Sequence, residues 1–462
     1  MDYYNLEIEG FGVINEANIE INKINVVGGV NSSGKSTASK LLYCFLKANS
    51  SDIKEYSLAA ILPTINKFIN IMEHPDPYAD VDLPGKYTVQ DDIKTILCNY
   101  SEAVKIFNRL NKKNFFKLPD DVLYDMKHRI DRFIPILTNK KNTKVYSSIV
   151  QSLFENESLL NFEGKSTFYN DSFKCTVSYE YNDRQNWSRI DRYFELTTNG
   201  ISKEDFDDFD ENFIYFTEGS FNFLNKIFYI DSLSYFDLNY YLNVTSNKNK
   251  EIFGYKEHIE YILKQLKDNK PEKNISDDIK EKINHVSELI TDIIKGHVNK
   301  LPEDLFLFDD SDYFFVPKNS DEKYNVNISS GIQQISIIQV LLDLYKLQPG
   351  SFLIIDEPEV NLHPEWQFKF AEILVLLAKE LDIHLYINSH SPMFIEAMEV
   401  LTQYYDLEED TNFYLTEKHD KDTYNYIKIK YDDLYELYDN LAKPFDAIEV
   451  YRLKNEYKKG NY

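Results

Sequence analysis

The sequence predicts an α/β fold, a parallel-sheet P-loop domain interrupted by a large mixed helical and antiparallel-strand insertion. Three observations predict it. Residues 29–36 read Gly-Val-Asn-Ser-Ser-Gly-Lys-Ser, set between a short apolar run and a helical pattern. Two later apolar runs, at residues 351–355 and 384–388, lead into Asp356-Glu357 and Ser389-His390. In between, from residue 51 to 312, helical and period-two patterns replace the strand–helix repeat.

The first element group spans residues 1–50. Short alternating strands are expected near Leu6–Ile8 and Ile19–Ile21, followed by a buried strand at Ile24–Val27. A helix from Ala38 to Leu46 follows the glycine-containing loop. Residues 51 to 160 read mostly as helix, with Pro63, Pro75, Pro77 and Pro84 as breaks. In Phe173–Tyr181 every odd position is apolar or aromatic, which is the pattern of a half-buried antiparallel strand. Asn199-Gly200 marks a turn after Tyr193–Leu196.

Two helices are expected at residues 251–268 and 277–297, joined by a linker containing Pro271. Ser276 is placed as the N-cap of the second, with Asp277 and Asp278 in its first turn. Its stripe is Ile279, Ile283, Val286, Ile290 and Ile293, closing at Lys295-Gly296. The hairpin these helices form either packs on its own domain or protrudes as a partner arm. From residue 313 to 462 the α/β pattern returns: a strand at Tyr313–Val316, a helix from Gly331, the strand at 351–355, a helix from Pro364 and the strand at 384–388.

Composition narrows the function classes. The 462 residues include 43% hydrophobic, with 35 Tyr and 31 Phe, which excludes a disordered tail. The aromatic surplus fits a packed core or a large subunit interface equally. With 51 basic against 76 acidic residues the formal charge is −25. Indiscriminate coating of DNA calls for the opposite sign. The lysines at 112, 113 and 117, and at 140, 141 and 144, read as solvated surface. Cys44, Cys98 and Cys175 lie far apart without zinc spacing, so reduced thiols are the default. The N-terminus lacks the features of a signal peptide, and no apolar run is long enough to span a bilayer. A soluble, cytoplasmic protein is expected.

The motifs carry the chemistry. A strand–loop–helix of this kind aims backbone N–H groups and a positive helix end at a polyphosphate. Lys35 is placed to reach the β/γ-phosphates of ATP and Ser36 to ligate Mg²⁺. Adjacent side chains on a strand face opposite ways, so Asp356 and Glu357 can hold different jobs. Asp356 suits an outer position on the metal. Pro358 forces Glu357 out of the helical region, leaving it at the sheet's carboxyl edge to polarise water. Ser329, Ser330 and Gly331 open an apolar helix and offer a hydroxyl and N–H groups to an anion. Ser391-Pro392 is an N-cap and N1 pair, just after His390.

Taken together, Gly29–Ser36, Ser329–Gln334, Asp356–Pro364 and Ser389–Pro392 resemble ABC-type ATPases of the SMC/RecF-like branch. The wording of the last two is most similar to the ATPase part of OLD-type nucleases. It also resembles stand-alone ATPase subunits of anti-phage systems such as Septu and PARIS. The resemblance implies an ABC-type head over residues 1–50 and 313–462, with ATP and Mg²⁺ as ligands. It assigns Gly29, Gly34, Lys35, Ser36 and Thr37 to phosphate and metal, with Asn31 and Ser33 in the same loop. Asp356 falls on the metal, Glu357 on water and His390 on the γ-phosphate. Ser329 and Gly331 are implied to act in trans, across a homodimer or larger homo-oligomer whose heads sandwich the nucleotide.

His363, in the segment resembling a D-loop, is equally well placed to cap the helix at Pro364. Ser330 and Ile332 depart from the transporter form of the signature. Gln90 is one candidate among several for the Q-loop glutamine. The residues after the Pro392 helix are too few for a Toprim nuclease domain, so any nuclease is expected to be another polypeptide. Two functions stay open on the sequence. One is a regulatory ATPase that controls a separate effector, expected to be a nuclease, in anti-phage defence, reaching nucleic acid through its partner. The other is a DNA-repair or chromosome-maintenance ATPase that binds DNA directly.

Overall fold

The computed structural model describes residues 3–49, 53–73, 86–88, 91–110, 120–137, 157, 174–183, 186–190, 193–194, 196–197, 200–201, 226–231, 257–267, 271–272, 275–300, 313–318, 324–325 and 330–458. The chain divides into two compact units. The first comprises Met1–Leu46, Leu153–Ser202 and Phe223–Tyr462; the second comprises Lys47–Ser152 and Lys203–Asn222.

The strands are β1 (Tyr3–Phe11), β2 (Ile14–Ile21), β3 (Ile24–Gly28), β4 (Lys174–Asp183), β5 (Asn186–Ile190), β6 (Tyr193–Phe194), β7 (Leu196–Thr197), β8 (Gly200–Ile201), β9 (Ile227–Ile230), β10 (Gly296–Lys300), β11 (Tyr313–Pro317), β12 (Tyr324–Asn325), β13 (Phe352–Asp356), β14 (His384–Ser389), β15 (Thr411–Lys418) and β16 (Tyr424–Ile429). The helices are α1 (Lys35–Asn49), α2 (Ile53–Glu73), α3 (Ile93–Leu110), α4 (Asp120–Leu137), α5 (Glu257–Lys267), α6 (Asp277–Ile294), α7 (Ser330–Asp343), α8 (Pro364–Leu381), α9 (Pro392–Tyr404) and α10 (Tyr435–Lys458).

An 11-stranded sheet organises the first unit, in the order β5-β4-β1-β2-β16-β15-β3-β14-β13-β9, with β6 also on β4. Strands β15, β3, β14, β13 and β9 run parallel, and β3 carries the loop at residues 29–36. Its neighbours are the strand leading to His390 on one side and β15 on the other. Such a block needs helices on both faces, and β3, β13 and β9 are accordingly buried throughout. One apolar cluster joins Val26, Phe228, Leu353 and Leu385 of the sheet to Ile283, Val286, Leu341, Leu374 and Met398 of the helices.

The insertion predicted over residues 51–312 is divided between the units. Strands β4, β5 and β6 continue the large sheet beyond β1, and β9 adds a parallel strand to β13. The reason is hydrogen bonding: the edges of β1 and β13 would otherwise present unpaired N–H and C=O groups. Both helices of the predicted hairpin are core elements, because Ile262, Leu266, Ile283, Val286 and Ile290 all lie in the main apolar cluster. Helix α6 starts and stops near the predicted caps. Ser276 occupies the N-cap without a side-chain bond, and Lys295, rather than Gly296, takes the left-handed conformation at φ 57°.

In the second unit, α2 runs unbroken through Pro63, against the predicted break. A mid-helix proline costs about 3 kcal/mol. Pro63 is exposed, while Ile61, Leu62, Ile65, Phe68 and Ile69 around it are buried against α3 and α4, which offsets that cost. Among the described residues no helix is long and apolar enough to cross a membrane.

Candidate active site

Strands β3, β13 and β14 end side by side, so Gly29, Asp356-Glu357 and Ser389-His390 converge at one sheet edge. Register fixes this: Asp356 lies opposite Asn388, and Ser389 opposite Gly28. Ligands bind at the carboxyl ends of strands in open parallel sheets.

The loop is shaped by its packing. A Cβ at Gly29 would lie 1.8 Å from Thr416 Oγ1, so only glycine lets the backbone pass β15. Gly34 sits at φ +90°, a conformation that L side chains rarely adopt. Thr416 Oγ1 donates to Ser33 Oγ at 2.9 Å, tying the loop to β15 from inside. Asn31 is exposed, Ser33 buried and Thr37 half-buried. The Lys35 ammonium donates to the carbonyls of Gly29 and Val30, both at 2.8 Å. Burial lowers its pKa, against the opposing pull of Glu357, Glu359 and Asp356.

Asp356 is buried and accepts three hydrogen bonds. Ser39 Oγ donates to Oδ1 at 2.9 Å, Asn388 Nδ2 to Oδ1 at 2.6 Å and Tyr229 Oη to Oδ2 at 2.6 Å. Burial pushes the Tyr229 hydroxyl well above its usual pKa, and the Asp356 charge adds to this, so it stays a donor. Ser36 is exposed in the first turn of α1, three residues before Ser39 and on the same helical face.

Glu357 adopts φ 52°, the left-handed region, at a cost on the order of 1–3 kcal/mol. Its N–H donates to the Asn388 carbonyl at 2.8 Å, which holds that geometry. The side chain is one-third exposed, and its Oε1 lies 3.7 Å from His390 Nδ1. Glu359, by contrast, is buried, and its Oε1 lies 3.0 Å from the same nitrogen. His363 caps α8, its Nδ1 accepting from the Glu365 N–H at 3.3 Å. Ser391 caps α9 through Oγ, which accepts from the Phe394 N–H at 3.3 Å.

The structure therefore brings Lys35, Ser36, Asp356, Glu357 and His390 to one edge. Gly331 lies in the first turn of α7, while Ser329 and Gln90 fall outside the described residues. Sequence reasoning missed Ser39, Tyr229, Glu359, Asn388 and Thr416. Only two of these carry a local signal: Ser39 one turn after Ser36, and Asn388 as an amide inside an apolar strand.

These residues fit a nucleoside triphosphate with a hard divalent cation. The glycine-walled loop leaves its backbone bare, Lys35 supplies a cation, and the Ser36 hydroxyl is an accessible oxygen ligand. With its oxygens already hydrogen-bonded, Asp356 suits a metal-bound water better than direct coordination.

Fold and site together define a P-loop ATPase-type nucleotide-binding protein. The chain belongs to the AAA ATPase domain family, whose model matches residues 1–395. No curated protein matches it. Among solved structures it is similar to the SMC head domain from Thermotoga maritima, at 8% identity, covering 93% of this chain and 100% of that one, with a TM-score of 0.37. It is also similar to an SmcHead bound to the C-winged helix domain of ScpA, at 10% identity, covering 93% and 97%, with a TM-score of 0.37. A third is the Smc head domain with an extended coiled coil, bound to the C-terminal domain of ScpA, from Pyrococcus furiosus: 12% identity, 98% and 100% covered, TM-score 0.35.

Proposed function

We propose that this chain hydrolyses ATP with Mg²⁺ at the edge formed by β3, β13 and β14, and that ATP occupancy or turnover controls a separate effector. The single observation behind this reading is the convergence of Lys35, Asp356, Glu357 and His390 from three adjacent strand ends. In this reading the loop N–H groups and Lys35 hold the β- and γ-phosphates. Ser36, with Asp356 in an outer position, would hold the metal, which when bound would supply charge neutralisation for the phosphates. Glu357, partly exposed beside His390, accepts a proton from the attacking water. The His390 ring contacts the γ-phosphate. Ser329 and Gly331 of a second copy close the pocket in a homodimer. The effector belongs to the anti-phage setting suggested by the motif wording, with a nuclease as the expected partner and the cytoplasm as the place of action. The −25 charge favours this over direct DNA binding.

Phosphate release by Glu357→Gln and Lys35→Ala tests the core of the reading. Each is expected to lose about 10²- to 10⁴-fold in turnover. Undiminished turnover in both would overturn it. Under saturating Mg-ATP, Glu357→Gln is expected to double its mass by mass photometry. Persistent monomers there would remove the composite pocket.

A further inference from the structure

The sequence motifs give Glu359 no role, yet it is almost as enclosed as Asp356 at this edge. Its residue is 5% exposed, although it lies only two positions beyond Glu357, whose side chain is one-third exposed. The turn after β13 puts it there. Glu357 and Asn361 both take left-handed backbone conformations, Val360 N–H bonds to the Glu357 carbonyl at 3.1 Å, and Leu362 N–H bonds to the Glu359 carbonyl at 3.0 Å. The chain is thereby folded back, and the Glu359 side chain meets the junction between β14 and α9.

There its Oε1 accepts the His390 N–H at 2.7 Å and the Ser391 N–H at 3.2 Å, and lies 3.0 Å from His390 Nδ1. One carboxylate oxygen thus holds the backbone at His390 and Ser391 and lies within ion-pair distance of the ring, whose buried Nδ1 has no hydrogen-bond partner among the described residues. A buried carboxylate is costly unless it is hydrogen-bonded, so a merely structural residue here would more cheaply be apolar. Burial pushes the Glu359 carboxyl upward, opposed by the His390 N–H. The imidazole itself is 38% exposed, so its far side is open to a ligand while its Nδ1 is buried beside Glu359.

We propose that Glu359 is a positioning residue for His390. Its carboxylate holds Nδ1 on the protein side and fixes the ring so that Nε2 is presented to the nucleotide. With a carboxylate oxygen 3.0 Å away, Nδ1 is the nitrogen expected to carry the ring proton, which leaves the role of Nε2 to be set by the phosphate. Glu357 is thereby freed for water, because a different acid supplies the contact that orients the histidine. The inference rests on the ATPase reading only for its catalytic consequence, not for the ring geometry.

Glu359→Gln keeps the volume and an acceptor for the two backbone N–H groups while removing the charge. In the full-length protein with histidine ring nitrogens labelled, the ¹⁵N signals of His390 are assigned by their loss in His390→Ala. The wild type is expected to show protonated Nδ1, and Glu359→Gln a shift of the tautomer population toward Nε2–H. Steady-state turnover is expected to fall by up to about 10²-fold with the KM for ATP nearly unchanged. In a His390→Ala background, Glu359→Gln is expected to cost less than twofold more, because the two residues act as a unit. An unchanged His390 tautomer overturns the proposal, and so does a full additional loss in the double variant. If Glu359→Gln does not fold, the wild-type spectrum alone decides, since an Nε2–H tautomer there is incompatible with the proposal. A wild type with the Nδ1–H ring but no ATP turnover would instead leave the positioning intact and refute the ATPase reading.

Discussion

The two ends of the large sheet follow different rules. In the parallel block of β15, β3, β14, β13 and β9, strands β3, β13 and β9 are buried at every position. On the flank, β2 alternates buried with half-buried and exposed residues. A strand covered on both faces has nowhere to hide a polar group except at its ends or in a closed hydrogen-bond set. The block uses both. Asp356 lies at a strand end with three donors, and Asn25 donates to the carbonyls of Asn22 and Leu385 inside the sheet. The flank keeps its charges in water, as with the Glu20 to Lys428 pair, exposed by 60% and 45%. Chemistry therefore gathers where burial makes polar placement costly, and the flank serves as scaffold.

The largest test of this contrast is Gly29→Ala. The added carbon has no room beside Thr416, so nucleotide binding, followed by calorimetry, is expected to be lost. Thr416→Gly in the same chain is expected to restore a measurable fraction. Failure of any rescue would show that Thr416 does not limit the loop.

A second test concerns charge buried behind the block. His258 on α5 is enclosed, its Nδ1 2.8 Å from both Glu157 oxygens and its Nε2 3.3 Å from Asp231. It stacks on Tyr229, with ring centroids 4.3 Å apart, and Tyr229 in turn holds Asp356. Burial alone would lower the His258 pKa, but the bonds to Asp231 and Glu157 outweigh it and raise the value to about 9. The folded chain then binds this proton more tightly than the unfolded chain. The stabilisation is complete below the unfolded value of 6.5 and is lost as pH rises through about 9. Its size is on the order of a few kcal/mol. Urea midpoints measured from pH 6 to 10 should fall over that window, and His258→Gln should flatten the fall. An equally steep decline in the variant would refute the assignment.

The smallest expected effect is on the flank. Glu20→Gln breaks an exposed pair with Lys428 and should change stability by less than about 1 kcal/mol and ATP turnover by less than twofold. A larger turnover change would erase the distinction between block and scaffold.

Legibility in the sequence follows the same division. The loop, Asp356-Glu357 and His390 were readable because each sits where an apolar run stops and a helix or turn starts, a signal confined to a few residues. Strand β9 has only four residues, and its place beside β13 is set by pairing across more than a hundred positions, so no local pattern announces it. Tyr229, Glu359 and Thr416 enter the site by tertiary contact alone. Pro63 misled for a related reason: the rule it follows is local, whereas the packing that overrides it is not.

The loop bond between Ser33 and Thr416 joins positions 383 residues apart, and β3 itself pairs with β15. A ribosome making this chain emits the phosphate loop hundreds of residues before its supporting strand. Closing so distant a contact is slow, so the nascent protein keeps the β15-facing edge of β3 unpaired while the intervening residues are made. Competence to hold nucleotide thus becomes a report that translation has passed β15, and a product stopped before β15 is expected to stay silent toward ATP.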